Sequence, residues 1–317
     1  MNFLNPVNSF EFHEYLLPFS SSTLRTLRIR VGQRKMTIQD RVTGCLLSGA
    51  VADAFGSNFE NMPSGFHCKI QPFPQCSITD DTQLTLATCE AIVQNRGIKP
   101  EKVAAAFSRK FREEGIRGIG SSTLKSMRDL DAGAHWFLAG ASGEKSAGNG
   151  AAMRIAPVGF CRVASLNDLS FIVRDITSIT HKNDEAYSGA LAVALCIHLA
   201  TKGACIYDVF SVLQNFLPDT GLRDALGILR KSEDLSIMEA STITGNSGYV
   251  VESVPLAIFA ASKSPTLDIL TIIQEVVSCG GDTDTIASIS AQIAGAFTGI
   301  SSDVVELVEK LEEKEYI

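Results

Sequence analysis

From about Asp40 to the C-terminus, apolar residues recur at helical intervals and rarely alternate as a half-buried strand requires. Leu84, Ala87, Ala91 and Ile92 share one helical face. The stretches 42–54, 84–93, 189–200 and 286–299 are apolar yet rich in Gly and Ala, small enough for helices to approach closely. No strand–helix–strand alternation runs through the sequence, so a doubly wound sheet is not expected. Segments dense in Gly, Ser, Asn or Pro at 63–74, 118–122, 141–150 and 241–248 read as loops. The pattern predicts one compact all-α domain, residues 40–317, behind an N-terminal arm, residues 1–39.

The arm has its own character. It carries Phe3, Leu4, Phe10, Phe12, Tyr15, Leu16, Leu17 and Phe19, more large apolar groups than a solvated tail contains. Leu27, Ile29 and Val31 alternate with Arg28 and Arg30, the period of a short half-buried strand. Five basic residues against Glu11 and Glu14 give the arm a net +3, so the rest of the chain carries −10.

Composition narrows the function. A chain of 317 residues, 45% hydrophobic and 20% charged, builds one large core. Its net charge of −7 and lack of a dense Lys/Arg cluster argue against a nucleic-acid partner. The longest apolar run, Ala190 to Ala200, is broken by His198 and falls short of the roughly 20 residues that span a bilayer, so no membrane partner is expected. The first twenty residues contain no Lys or Arg and lack a secretory signal, which predicts a cytoplasmic protein. Eight scattered cysteines without a Cys-x-x-Cys pair fit core positions in a reducing compartment better than a zinc site.

Two short turns carry the chemistry. Thr79-Asp80-Asp81-Thr82 closes a Pro-rich loop before a helical pattern that starts near Gln83. Alone it reads as a helix N-cap, where Asp and Thr accept backbone N–H bonds. Gly280-Gly281-Asp282-Thr283-Asp284-Thr285 repeats the composition before a second helical stretch. If the two turns converge, their four carboxylates repel unless a cation lies between them. Such an all-oxygen set suits Mg²⁺ or Mn²⁺, with room for two ions side by side.

In order along the chain, these turns join the segment Arg41 to Gly56, then Glu60, Gly148-Asn149-Gly150-Ala151-Ala152-Met153-Arg154, Thr180-His181 and Ser247-Gly248-Tyr249-Val250. That succession resembles the ADP-ribosylglycohydrolase family. The resemblance implies an orthogonal all-α helical bundle holding two Mg²⁺ or Mn²⁺ ions, which hydrolyses the bond between ADP-ribose and a modified protein side chain. It implies Thr79, Asp80, Asp81, Asp282, Asp284 and Thr285 as metal ligands. Glu60 corresponds to an acidic position over the site, suited to gating or proton transfer, and Asp81 and Asp284 to candidates for orienting water. Gly148, Asn149, Gly150, Met153 and His181 fall in segments lining the ADP-ribose cleft, and Tyr249 in the stretch beside it.

Cleaving a ribosyl bond passes through an oxocarbenium-like state, so the ribose must be held and a water and a proton donor brought to it. The Gly148-Asn149-Gly150 loop reads either as a surface turn or as a set of backbone N–H groups receiving a pyrophosphate. It is no P-loop, because no Gly-Lys-Ser/Thr follows. All six implied ligands are present, which favours an enzyme over a binding module or a structural protein with a vestigial site. An arginine-linked ADP-ribosyl protein is the expected substrate. With its added arm the chain also looks like the subgroup of immunity proteins against ADP-ribosyltransferase toxins of type VI secretion, which makes a toxin a candidate partner of residues 1–39.

Overall fold

Helix follows helix along the chain: α1 (Ile38–Gly56), α2 (Asp80–Asn95), α3 (Pro100–Glu113), α4 (Ser121–Asp131), α5 (Trp136–Ala139), α6 (Ala156–Gly159), α7 (Leu166–Ser178) and α8 (Asp184–Thr201). The second half continues with α9 (Val209–Phe216), α10 (Gly221–Arg230), α11 (Ile237–Thr244), α12 (Val250–Ser262), α13 (Ile269–Ser278), α14 (Thr283–Thr298) and α15 (Ser302–Val308). The computed structural model describes residues 36–313 apart from His67, Pro72 and Glu233. The strand expected around Leu27, Ile29 and Val31, and the arm's docking, lie outside the described residues. No helix among the described residues is long and apolar enough to cross a membrane.

The all-α expectation holds, and the helices sort by composition. In α8 every residue from Ala186 to Ala200 is buried, the signature of a helix apolar on all sides and enclosed by others. α14 is its counterpart, buried from Thr283 to Ala296 and packed against α1, α8, α12 and α13. α1 starts on a capping box, in which Thr37 Oγ1 accepts from Asp40 N while Thr37 N donates to the Asp40 carboxylate.

α1 and α14 run antiparallel along a seam of small residues. A Cβ on Gly44 would stand 2.5 Å from the Gly295 carbonyl oxygen, and one on Gly56 would stand 2.6 Å from Asp284 Cα. Neither position has room for a methyl group. The C-terminal end of α1 therefore meets the N-terminal end of α14, which puts the second Asp/Thr turn beside Asp53.

Three boundaries differ from the sequence pattern. α2 begins at Asp80 rather than near Gln83, because its first N–H groups are met from another helix. The 118–122 and 241–248 loops each give up residues to a helix, α4 from Ser121 and α11 to Thr244. The 141–150 loop contains strand β1 (Ala141–Ser142), which pairs in parallel with β2 (His181–Lys182) and aligns Ala141 with His181. These two-residue strands are too short to show as a period, yet they fix where His181 sits.

Candidate active site

The site grows from one carboxylate buried in α1. Asp53 is fully buried, and it accepts hydrogen bonds from Thr79 N at 3.0 Å, Thr79 Oγ1 at 2.6 Å, Thr82 N at 3.1 Å and Thr82 Oγ1. It thereby satisfies the first turn of α2 from outside that helix. Thr79 also caps locally, its Oγ1 accepting from Asp81 N. Because Thr79 Oγ1 gives its proton to Asp53, its remaining lone pair stays available to a cation.

Behind this turn the second one closes in. Thr285 Oγ1 donates to Asp81 Oδ2 at 3.0 Å, and ligand atoms of Asp53, Asp81 and Asp284 lie within 4.8 Å of one another. Asp81 Oδ1 is buried and has no hydrogen-bond partner among the described residues. Such an orphaned carboxylate oxygen is costly unless something positive meets it. Burial, with Asp53 and Asp284 nearby, pushes the Asp81 carboxyl well above the usual range. Burial and the charge of Asp282 raise Asp284 to about 9, and burial with Asp53 raises Asp80 to about 7. The residues fit a hard divalent cation: every donor is an oxygen, and the charges repel without one.

Over this cluster opens a cleft of about 380 Å³. Asp80, Asp282, Asp284 and Thr285 form its floor, and the exposed Glu60 stands on its wall, four residues past the end of α1. Gly148, Asn149, Gly150, Met153 and His181 also line it, and the first turn of α4 contributes Ser121 to Thr123. Asp284 belongs both to the buried triad and to the floor, so it joins the two tiers.

The profile of the ADP-ribosylglycohydrolase family matches residues 34–317. The chain belongs to that family. It is 28% identical to an ADP-ribosylarginine hydrolase Tri1 of Pseudomonas putida, over 88% of this chain and 76% of the relative. It is also 28% identical to an ADP-ribosylhydrolase ARH3 of Xenopus tropicalis, over 70% of this chain and 73% of the relative. A solved structure described as an ADP-ribosylglycohydrolase-related protein complex superposes with a TM-score of 0.60 at 26% identity, covering 87% of this chain and 94% of that one. As a member of the ADP-ribosylglycohydrolases, the protein is an ADP-ribosyl hydrolase.

Most residues singled out from the sequence meet in this one place, with one difference of detail. Asn149 is engaged within the protein: its N–H donates to Gly248 O, and its Nδ2 donates to Asp282 Oδ2 at 2.7 Å and to Ser253 Oγ. It orients a carboxylate rather than offering its N–H to a ligand. Tyr249 stands beside the cleft, outside its lining, with its backbone bridged to Gly148 and its side chain 44% exposed.

The sequence pattern does not single out Asp53 or Arg154, although both lie inside the motifs given above. Asp53 could have been found as a carboxylate in a stretch of Ala, Val and Phe, where an unpaired charge is not tolerated. Arg154 is the largest fully buried side chain among the described residues.

Proposed function

We propose that the chain hydrolyses the N-glycosidic bond between ADP-ribose and arginine side chains of modified proteins. In this reading two divalent ions, Mg²⁺ or Mn²⁺, are held by Thr79, Asp80, Asp81, Asp282, Asp284 and Thr285, with Asp53 fixing the Thr79 hydroxyl. The observation that carries it is the orphaned Asp81 Oδ1 inside a cluster of three buried carboxylates, opening on a polar cleft. When bound, the ions supply Lewis-acid polarisation of the ribose oxygens and of the attacking water.

The protein's own residues do the rest. Asp284, from the floor of the cleft, and Asp81, from the buried cluster, orient the water toward the anomeric carbon. Glu60, exposed at the wall, transfers the proton between water and leaving group. An arginine leaves as a guanidine that is readily protonated, so one mobile carboxyl suffices for its departure. The arginine linkage in the name of the Pseudomonas relative supports the same reading.

Purified protein given arginine-linked and serine-linked ADP-ribosyl substrates side by side tests the reading. Faster release from arginine, dependent on Mg²⁺ or Mn²⁺ and stopped by a chelator, is expected. Preference for serine would overturn the linkage, and release undiminished by chelator would overturn the metal centre. Protection against an ADP-ribosyltransferase toxin by residues 1–39 is a separate proposal, supported by their charge and apolar content. Deletion of residues 1–35 tests it: lost toxin binding with retained hydrolysis is expected, and undiminished binding removes the arm from the proposal.

A further inference from the structure

Arg154 has no place in the chemistry so far, yet it is wholly buried, and no carboxylate among the described residues pairs with it within ion-pair distance. Its Nη1 donates to the Gly150 carbonyl and its Nη2 donates to Thr180 Oγ1 at 2.6 Å. Its guanidinium carbon lies 5.0 Å from the centre of the Phe107 ring, while its Nε has no partner. A buried guanidinium held this way is expensive, and the two groups it grips both lead to the cleft. Gly150 is on the glycine loop, and Thr180 Oγ1 lies 2.7 Å from His181 Nδ1.

Proton counting along this chain has one consistent solution. A guanidinium only donates, so Thr180 Oγ1 must accept from Arg154. Thr180 is fully buried, its hydroxyl has one proton to give, and the only other group on it among the described residues is His181 Nδ1. Were Nδ1 protonated, that hydroxyl proton would have no acceptor, at the cost of an unmade buried hydrogen bond. Nδ1 is therefore the acceptor, and the ring carries its proton on Nε2. No protein group among the described residues accepts from Nε2, and His181 lines the cleft. The ring lies under the glycine loop: a Cβ on Gly150 would come within 3.0 Å of its Cε1, and one on Gly148 within 3.5 Å of Nε2.

We infer that Arg154 and Thr180 are positioning residues that lock His181 as a neutral Nε2–H donor aimed at an anionic oxygen of the ligand under the Gly148–Gly150 loop. Burial and the neighbouring Arg154 hold the ring neutral, with its pKa lowered to about 3, whereas Arg154, lowered by burial to about 9, keeps its proton at neutral pH. A neutral ring with a fixed tautomer presents a donor without a rotational search, and Arg154 holds the loop directly and the ring through Thr180. The inference rests on the reading of the cleft as an ADP-ribose site for the identity of the anion, but the tautomer does not depend on it.

The two are separated by measuring them separately. Two-dimensional ¹⁵N–¹H spectra of the full chain labelled at histidine, with H181N to assign the signal, read the tautomer without ligand. Calorimetric titration with ADP-ribose in the presence of Mg²⁺ reads binding. Wild type is expected to show Nε2–H. T180V is expected to lose the single tautomer and to bind ADP-ribose at least about tenfold more weakly, with T180S restoring both. R154K, which keeps the charge but cannot grip Gly150 O and Thr180 Oγ1 together, is expected to show the same two losses. An Nδ1–H tautomer in wild type overturns the inference even if T180V fails to fold. So does a folded T180V with unchanged tautomer and affinity. Nε2–H in a wild type that binds no ADP-ribose overturns the ligand reading and leaves the relay standing.

Discussion

Thr285 Oγ1 donates to Asp81 Oδ2 across 204 positions of sequence, and that bond joins the first turns of two helices, each opening on an Asp/Thr cluster. Thr79 and Thr82 direct their hydroxyl protons at Asp53 and Thr285 directs its own at Asp81, while Thr283 Oγ1 donates to the Gly56 carbonyl. Threonine thus serves twice, holding a carboxylate with its proton and leaving lone pairs toward the centre of the cluster.

Replacing Asp81 by Asn removes charge from the most crowded point of the cluster. Without divalent ions the variant is expected to melt at the wild-type temperature or above it, since repulsion is relieved. Wild type should gain about 2.7 kcal/mol per occupied site from Mg²⁺ at a hundredfold excess over Kd, and the variant far less. Thermal melts with chelator and with Mg²⁺ check both; a large loss of stability in chelator would make Asp81 a mere helix cap.

Glu60→Gln separates proton transfer from metal binding. Glu60 lies on the exposed wall of the cleft, so the variant should keep the Mg²⁺-induced rise in Tm while kcat falls by about a hundredfold or more. Single-turnover release of ADP-ribose is the measurement, and wild-type kcat would remove Glu60 from the reaction.

The two ends of the α1–α14 seam should respond differently to a methyl group. Gly44→Ala meets the Gly295 carbonyl at 2.5 Å, far from the carboxylates, and is expected to cost about 1–3 kcal/mol with little change in Mg²⁺ affinity. Gly56→Ala presses on Asp284 Cα at 2.6 Å, so it should weaken Mg²⁺ binding as well. Denaturant unfolding and Mg²⁺ titration of both variants distinguish them.

His198, within α8, contributes an acid limit to stability. Burial, then the charge of Lys202, lowers its pKa from 6.5 to about 4, against the bond between Nδ1 and Gly159 O. The unfolded chain takes up a proton near 6.5 and the folded chain does not until about 4. The contribution is therefore fully present above pH 6.5 and is lost as the pH falls to 4, amounting to at most about 3 kcal/mol. His198→Asn should flatten the fall in unfolding free energy across that window; an unchanged slope would show that the group does not titrate there.

Much of this site was legible from the chain because helix N-termini have a local code. The Thr79–Thr82 and Gly280–Thr285 turns announced themselves through residue types that cap helices, and the Gly- and Ala-rich stretches announced close packing. What escaped was set by distant partners. The function of Asp53 depends on Thr79 and Thr82, which no local pattern links to α1. Asn149 looked like part of an anion-binding loop because its neighbours are glycines, while its amide turns to Asp282, 133 positions away. Arg154 reads as one charge closing a motif, and only its bonds to Gly150 O and Thr180 Oγ1 show that it joins the loop to the residue before β2.

The glycine seam also has a temporal side. Asp81 of the first Asp/Thr turn leaves the ribosome 204 residues ahead of Thr285, and α1 earlier still, an interval of at least roughly 10–40 s at ~5–20 residues per second. Throughout it the closely packed face of α1 has no α14 to cover it, and Asp81 has no Thr285. The nascent chain must keep that face from other apolar surfaces until translation is nearly complete. Production of this protein should accordingly be sensitive to chaperone capacity, and chains interrupted before α14 should fail to mature.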